Sequence, residues 1–192
     1  GNKLDFSIQT WIQLPDKTKN VIVISAGGMN IEITEVFTGK KGWASIMGES
    51  KDLDDDEIKE LKDKLHAEAI GNLLPIREDK EMKIKSLGES KVGDKEVVGI
   101  LVSKKDQRDV KLFFDKATYL LAKTESRTRH PLTKQDAKAD VYYSDYKELV
   151  PGLKIPVKCV VNYDGEKFME YEMTEIQAVP QHDDSIFALP KK

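Results

Sequence analysis

The chain opens with apolar and polar residues alternating at a period of two. Leu4, Phe6, Ile8, Ile12 and Leu14 share one parity; Asp5, Ser7, Gln9, Trp11 and Gln13 share the other. That pattern predicts a half-buried strand, ended by the turn chemistry of Pro15-Asp16. A second run, residues 21–25, is apolar on both parities and closes at Gly27-Gly28. In a third, Met29, Ile31, Ile33 and Phe37 alternate with Asn30, Glu32 and Thr34. Gly39-Lys40-Lys41-Gly42 then turns the chain into a short strand over residues 43–47. Connections this short leave no room for crossover helices, so the first quarter reads as an antiparallel meander.

The period changes once. Asp54-Asp55-Asp56-Glu57 supplies a cap and negative charge for a helix N-terminus, and Ile58, Leu61, Leu65 and Ala69 follow at helical spacing. Gly71-Asn72 weakens this helix and Leu73-Leu74-Pro75-Ile76 ends it. Strands resume near Met82 and are expected over 97–102, 110–114, 119–125, 141–143, 157–163 and 168–177. Val92-Gly93-Asp94, residues 115–118, Pro151-Gly152 and Asp164-Gly165 mark the turns, residues 127–138 read as a polar loop, and residues 183–187 read as a capped single turn.

The sum is about eleven strands and one helix, with no repeat and no break in composition, so a single domain over 1–192 is expected. The predicted class is mainly β (α+β): one strongly curved antiparallel sheet, an incomplete barrel, with the amphipathic helix over its concave face. Residues 21–24 and 97–102 are apolar on both faces, and one helix cannot cover so wide a sheet. Either the sheet packs on itself, or part of the concavity is an apolar cavity.

Composition narrows the function. The 192 residues carry 31 basic and 34 acidic side chains, a net charge of −3 that argues against a nucleic-acid partner. No apolar run approaches the roughly 20 residues of a membrane helix. The one cysteine, Cys159, permits neither an internal disulfide nor a cysteine-based zinc site and reads as a core residue. Gly1-Asn2-Lys3 carries no signal-peptide pattern, and a start without methionine reads as a processed one.

Candidate chemistry is sparse. His66, His130 and His182 stand far apart without metal-ligand spacing, although His182-Asp183-Asp184 could hold a metal weakly. The chain contains no GxSxG elbow, Walker loop or GxGxxG. The acidic runs read as solvated faces, so no catalytic residue, metal or cofactor is assigned. Trp11, on the polar parity, either packs under a loop or lines a mouth; Trp43 is expected in the core.

Several motifs together resemble the LolA/LolB/LppX superfamily of lipoprotein carriers. They are Leu14-Pro15-Asp16-Lys17-Thr18-Lys19, the Phe37 to Trp43 turn, Leu112-Phe113-Phe114-Asp115-Lys116 with Leu120-Leu121 and Lys123, Tyr143-Ser144-Asp145-Tyr146 with Ile155-Pro156, and the closing Asp183 to Phe187. Within that superfamily the chain looks most like a secreted branch abundant in planctomycete-type bacteria. The resemblance implies an exported, periplasmic protein with an incomplete barrel and a hydrophobic cavity for acyl chains. Two features depart from the carriers. No helix precedes the first strand, and Leu14 stands where they have a latch arginine before the proline.

The leading expectation is therefore a monomeric, non-enzymatic protein that holds a lipid or acylated ligand. Its walls would be Ile8, Ile12, Ile22, Ile24, Ile31, Ile33, Val98, Ile100, Val102, Leu112 and Phe114, with Ile58, Leu61 and Leu65 closing over them. The rival is a periplasmic sensor or protein-interaction module on the same fold with a filled core. The parity that faces inward is open at this level.

Overall fold

The computed structural model describes residues 4–13 and 16–188. They form two compact units, one made of the chain up to Lys62 together with the segment from Val179, the other of Asp63–Ala178.

The first unit is a five-stranded antiparallel meander: β1 (Asp5–Gln13), β2 (Lys17–Ala26), β3 (Met29–Thr38), β4 (Gly42–Ile46) and β5 (Glu49–Asp52), in that order. The two residues joining β2 to β3, Gly27 and Gly28, both have positive φ, 57° and 81°. That is the geometry of a tight hairpin whose twist matches its strands, and glycine meets it without steric cost. From this turn the ladder runs unbroken from Ala26↔Met29 to Lys17↔Thr38. One face of the sheet carries Val36, Trp43 and Phe187, all buried, with Trp11 and Ile186 packed against them. Phe187 arrives on a single 3-10 turn, Asp184–Phe187, whose Asp183 cap accepts the Ser185 N–H at 2.8 Å. Lys17 pins that turn through Asp184 at 2.6 Å. Trp11 is thus a packing residue, and the 183–187 motif is the capped turn its sequence predicts.

The second unit is a seven-stranded antiparallel sheet in the order β12-β11-β10-β9-β8-β7-β6. Its strands are β6 (Lys83–Val92), β7 (Lys95–Ser103), β8 (Val110–Asp115), β9 (Leu121–Arg129), β10 (Asp136–Val150), β11 (Leu153–Tyr163) and β12 (Glu166–Glu172). Its core is the fully buried quartet Ile70, Val102, Val110 and Leu112, with Ala67, Ile76, Met82, Ile100, Phe114 and Leu121 packed on it. On the opposite face, Lys123 lies 2.9 Å from the buried Asp140 and over the rings of Phe113 and Tyr142. Lys138 reaches Asp140 at 3.1 Å, and Lys111 pairs with Glu125.

Two helices intervene between β5 and β6, α1 (Asp55–Gly71) and α2 (Leu74–Glu78). α1 starts in a reciprocal capping box: Asp54 accepts the Glu57 N–H at 2.9 Å, and Glu57 accepts the Asp54 N–H at 3.1 Å. At about 100° per residue, Ile58, Leu61 and Leu65 lie on one side of α1, and Asp63, His66, Ala67 and Ile70 lie nearly opposite. The second stripe packs on the seven-stranded sheet through Ala67 and Ile70. The helical spacing reveals only the first, because Asp63 and His66 interrupt the second with polar residues. Asp63 is held by Arg108 at 3.0 Å.

The structure corrects several expectations. Among the described residues, twelve strands form two open sheets rather than about eleven in one, and neither sheet closes on itself. The added strand, β5, is exposed along its whole length and has no apolar pattern to announce it. Half of residues 127–138 is ladder, since β9 runs to Arg129 and β10 starts at Asp136, and the loop shrinks to residues 130–135. The last strand stops at Glu172, well before residue 177. Leu73-Leu74-Pro75-Ile76 does not simply end α1 but leads into α2, with Leu73 at a positive φ of 64°. The Leu14 position of the carriers' latch lies outside the described residues.

Two predictions follow from α1. Ile70→Ala opens a void at the centre of the buried quartet and should cost about 2–5 kcal/mol, read from urea denaturation. His66 has a buried Nε2 with no hydrogen-bond partner. Burial first, then the Lys104 ammonium, holds its pKa below the ordinary 6.5, while Asp63 and Asp79 pull the other way. The folded state therefore favours neutral imidazole. The stability it contributes is complete above the ordinary value and is lost as pH falls through it, where the unfolded chain binds the extra proton. Urea midpoints between about pH 7.5 and about pH 5.5 should fall for the native chain and flatten in His66→Leu.

Candidate apolar binding face

The register of the first sheet answers the parity question for its own strands. Ile8 opposes Ile22, Ile22 opposes Ile33, and Ile33 opposes Ile46, giving a row of four isoleucines across four strands. Next to it, Phe6 opposes Ile24 and Ile24 opposes Ile31. Ile12 shares the same face, two residues beyond Thr10. Ile8, Ile12, Ile22, Ile24, Ile31 and Ile33 thus all lie on one side, the side opposite Trp11, Val36 and Trp43.

This face is only partly covered. Ile22, Ile24, Ile31 and Ile33 are half-buried, while Ile8, Ile12 and Ile46 are exposed at 38%, 47% and 55%. Toward the other end of the strands it is closed. Thr18 and Phe37 are buried there, and Leu53 sits so close to Gly42 that a Cβ would meet its Cδ1 at 2.7 Å. The face therefore grades from a packed end to an open apolar one. Ile46 completes the long row; its signal was its place three residues after Trp43, on the opposite parity of the same short strand.

In the second unit Val98, Ile100, Val102, Leu112 and Phe114 also share one face, the one that carries Ile70. Their surroundings differ. Val102 and Leu112 are fully buried against Ile70, Ile100 and Phe114 pack on that core, and Val98 is exposed. These positions are filled by the chain's own helix rather than left open. Of the α1 residues, Leu61 is buried and Ile58 and Leu65 are half-buried.

The groups with reactive potential are dispersed. His130 accepts the Leu132 and Thr133 N–H groups at Nδ1 and packs edge-on against Tyr163 and Phe168. The His182 N–H donates to Gln13 Oε1, and its ring meets Phe187 edge-on. Asp183 and Asp184 are occupied by the cap and by Lys17. Burial pushes the Cys159 thiol up, away from the reactive thiolate, and pushes Tyr143 up to about 12. Tyr143 meets Thr124 Oγ1 at 3.2 Å, and Tyr146 donates to the Leu121 carbonyl at 2.6 Å. Among the described residues, no group of three or more His, Cys, Asp and Glu side chains is arranged to hold a metal ion. Among the same residues, no helix is long and apolar enough to cross a membrane.

No family model matches the chain, and no curated protein does. Solved structures do. A domain described as an outer membrane lipoprotein-sorting protein from Vibrio parahaemolyticus superposes with a TM-score of 0.55 at 11% identity, covering 94% of this chain and 79% of that one. A DUF1329 family protein from Desulfovibrio piger gives the same TM-score at 10% identity, covering 96% and 81%. A LolA superfamily protein from Nitrosomonas europaea aligns at 13% identity over 97% and 89%, with a TM-score of 0.44 that adds no weight of its own. At these identities the likeness speaks to the fold alone: the chain shares the fold of the first two of these structures.

Proposed function

We propose that the protein is an exported, periplasmic, non-enzymatic binding protein. In this reading residues 1–192 act as one LolA-like domain and hold a lipid or acylated ligand on the isoleucine face of the five-stranded sheet. The observation that carries the reading is the pair of apolar rows, Ile8–Ile22–Ile33–Ile46 and Phe6–Ile24–Ile31, on a face whose opposite side is already covered by Phe187. A sheet with one face packed ordinarily turns polar residues outward on the other. Here the second face is apolar as well and half-exposed, which suits a ligand made of methylenes. The LolA-like fold supports the same reading.

The chemistry required is burial alone. Each methylene taken from water contributes roughly 0.8 kcal/mol, about a fourfold gain in affinity. No nucleophile, proton shuttle or metal is needed, which accords with the dispersed histidines and the buried, unactivated Cys159. The filled core of the second unit favours a secondary role for its sheet, as scaffold or as a surface for a protein partner.

Native mass spectrometry of the protein purified from a bacterial host, followed by denaturing lipid extraction, should detect a co-purifying acyl species. Calorimetric titration with alkanols of increasing length should show affinity rising about fourfold per methylene. Ile24→Trp, which places an indole across the shorter row, should weaken binding at least tenfold while leaving the urea midpoint nearly unchanged. A clean apo mass, with no chain-length dependence, would remove the reading.

A further inference from the structure

The isoleucine face carries one half-buried charge that no other described residue answers. One register step from the long apolar row, Thr10 opposes Asn20, Asn20 opposes Glu35, and Glu35 opposes Ala44. The strand parity puts this polar row on the same side as Ile8, Ile22 and Ile33. Beyond it lie Thr18, Phe37 and Gly42, where the face is packed shut, with Ile12 exposed at its edge. The polar row thus separates the open apolar surface from the closed end.

Its members are not equivalent. Thr10 Oγ1 and Asn20 Oδ1 lie 2.9 Å apart, which holds the Asn20 amide and leaves its NH2 group available. Glu35 is half-buried and forms no hydrogen bond or ion pair with another described residue. The cations close to it in register are engaged. Lys51, across Ala44 at the end of the row, is neutralised by Glu57 at 2.6 Å. On the far side of the sheet, Lys17 binds Asp184, and Lys19 lies over the Trp11 ring. A carboxylate partly withdrawn from water beside apolar surface, with no partner, is costly unless something supplies the missing donor. Solubility does not explain its position, since the exposed ends of the same strands offer better-hydrated sites.

We propose that Glu35, with Asn20 beside it, is the head-group subsite of the apolar face. It would select amphiphiles whose head presents an N–H donor, as an ammonium or an amide, and reject long-chain carboxylates. The tail would lie across Ile22, Ile33 and Ile24, and the N–H would donate to the Glu35 carboxylate. The Asn20 NH2 is placed for a neighbouring carbonyl or hydroxyl oxygen on the ligand. A fatty-acid carboxylate set in the same place would face Glu35 with like charge. The inference rests on the proposed binding of acyl chains to this face and specifies its head-group chemistry.

Four probes of equal chain length separate the two ideas: dodecanol, dodecylammonium, N-dodecylacetamide and dodecanoate, each titrated below its micellar concentration by calorimetry. The native chain should bind dodecylammonium at least about tenfold more tightly than dodecanoate, with the amide between them. Glu35→Gln removes the charge with little change in shape. It should bring ammonium and carboxylate within about threefold of each other and leave dodecanol unchanged. Comparing the ammonium with the amide then shows whether charge or the N–H alone is read. Equal affinity for all four heads, or a preference that survives Glu35→Gln, would overturn the head-group assignment while leaving acyl-chain binding standing. Failure of every probe, dodecanol included, would overturn both. Circular dichroism of Glu35→Gln should match the native chain and its urea midpoint should not fall, because the substitution removes an unpaired charge and breaks no contact.

Discussion

Everything distinctive about the first sheet depends on the register set at Gly27-Gly28. Two consecutive residues at positive φ fix the β2–β3 hairpin to a two-residue connection, and the pairing then runs without a bulge to Lys17↔Thr38. Because side chains alternate strictly, a slip of one residue would move Ile22, Ile24, Ile31 and Ile33 to the side that packs on Phe187. Val36 would be thrown out to the open side at the same stroke. The apolar rows are therefore a product of backbone geometry, and no single isoleucine creates them. The polar row containing Glu35 inherits its place from the same hairpin.

The two units solve the problem of a sheet with two apolar faces in different ways. The seven-stranded sheet covers one face with the chain's own Ala67, Ile70 and Ile76 and lays an ion-pair network across the other, beside Val97 and Phe113. In that network Lys123 reaches both Asp140 and Glu125. Such buried and half-buried charges stabilise little unless all are paired, and here Lys123 and Lys138 are each shared between Glu125 and Asp140. The five-stranded sheet covers the side opposite its isoleucines with the 3-10 turn and leaves the isoleucines in partial contact with solvent. Only the second arrangement leaves apolar surface in reserve.

Much of this was legible in the sequence. Period-two alternation in residues 4–14 and 29–37 put Ile8 with Ile12, and Ile31 with Ile33, on one parity of their own strands, whereas Ile22 and Ile24 join them on one face only through the cross-strand register. The Asp54–Glu57 and Asp183–Ser185 patterns marked a helix start and a capped turn where both occur. The division into two sheets was not legible. β5 is a short, exposed, polar strand whose existence depends only on the Met47-Gly48 turn beside it. Ile70, the most deeply buried residue of α1, was hidden because its stripe is shared with Asp63 and His66, polar residues that tertiary contacts make acceptable. Val102 and Leu112 read as cavity walls for the same reason, since nothing in their own strands shows that Ile70 fills the space beside them. Glu35 looked like one more polar residue in an alternating strand. Its parity with Ile31, Ile33 and Phe37 was visible in the sequence, but only the cross-strand register places it beside Asn20 and Ala44.

The distribution of aromatic residues has an optical consequence. Both tryptophans, Trp11 and Trp43, belong to the first unit, whereas all six tyrosines, from Tyr119 to Tyr171, fall in the second. Indole emission therefore reports on the five-stranded sheet alone, and phenol absorbance on the seven-stranded sheet alone. The native chain carries a separate spectroscopic reporter for each half, without labels. Superimposable denaturation curves from the two chromophores would mean a single cooperative unit, and displaced curves would mean two halves that melt independently.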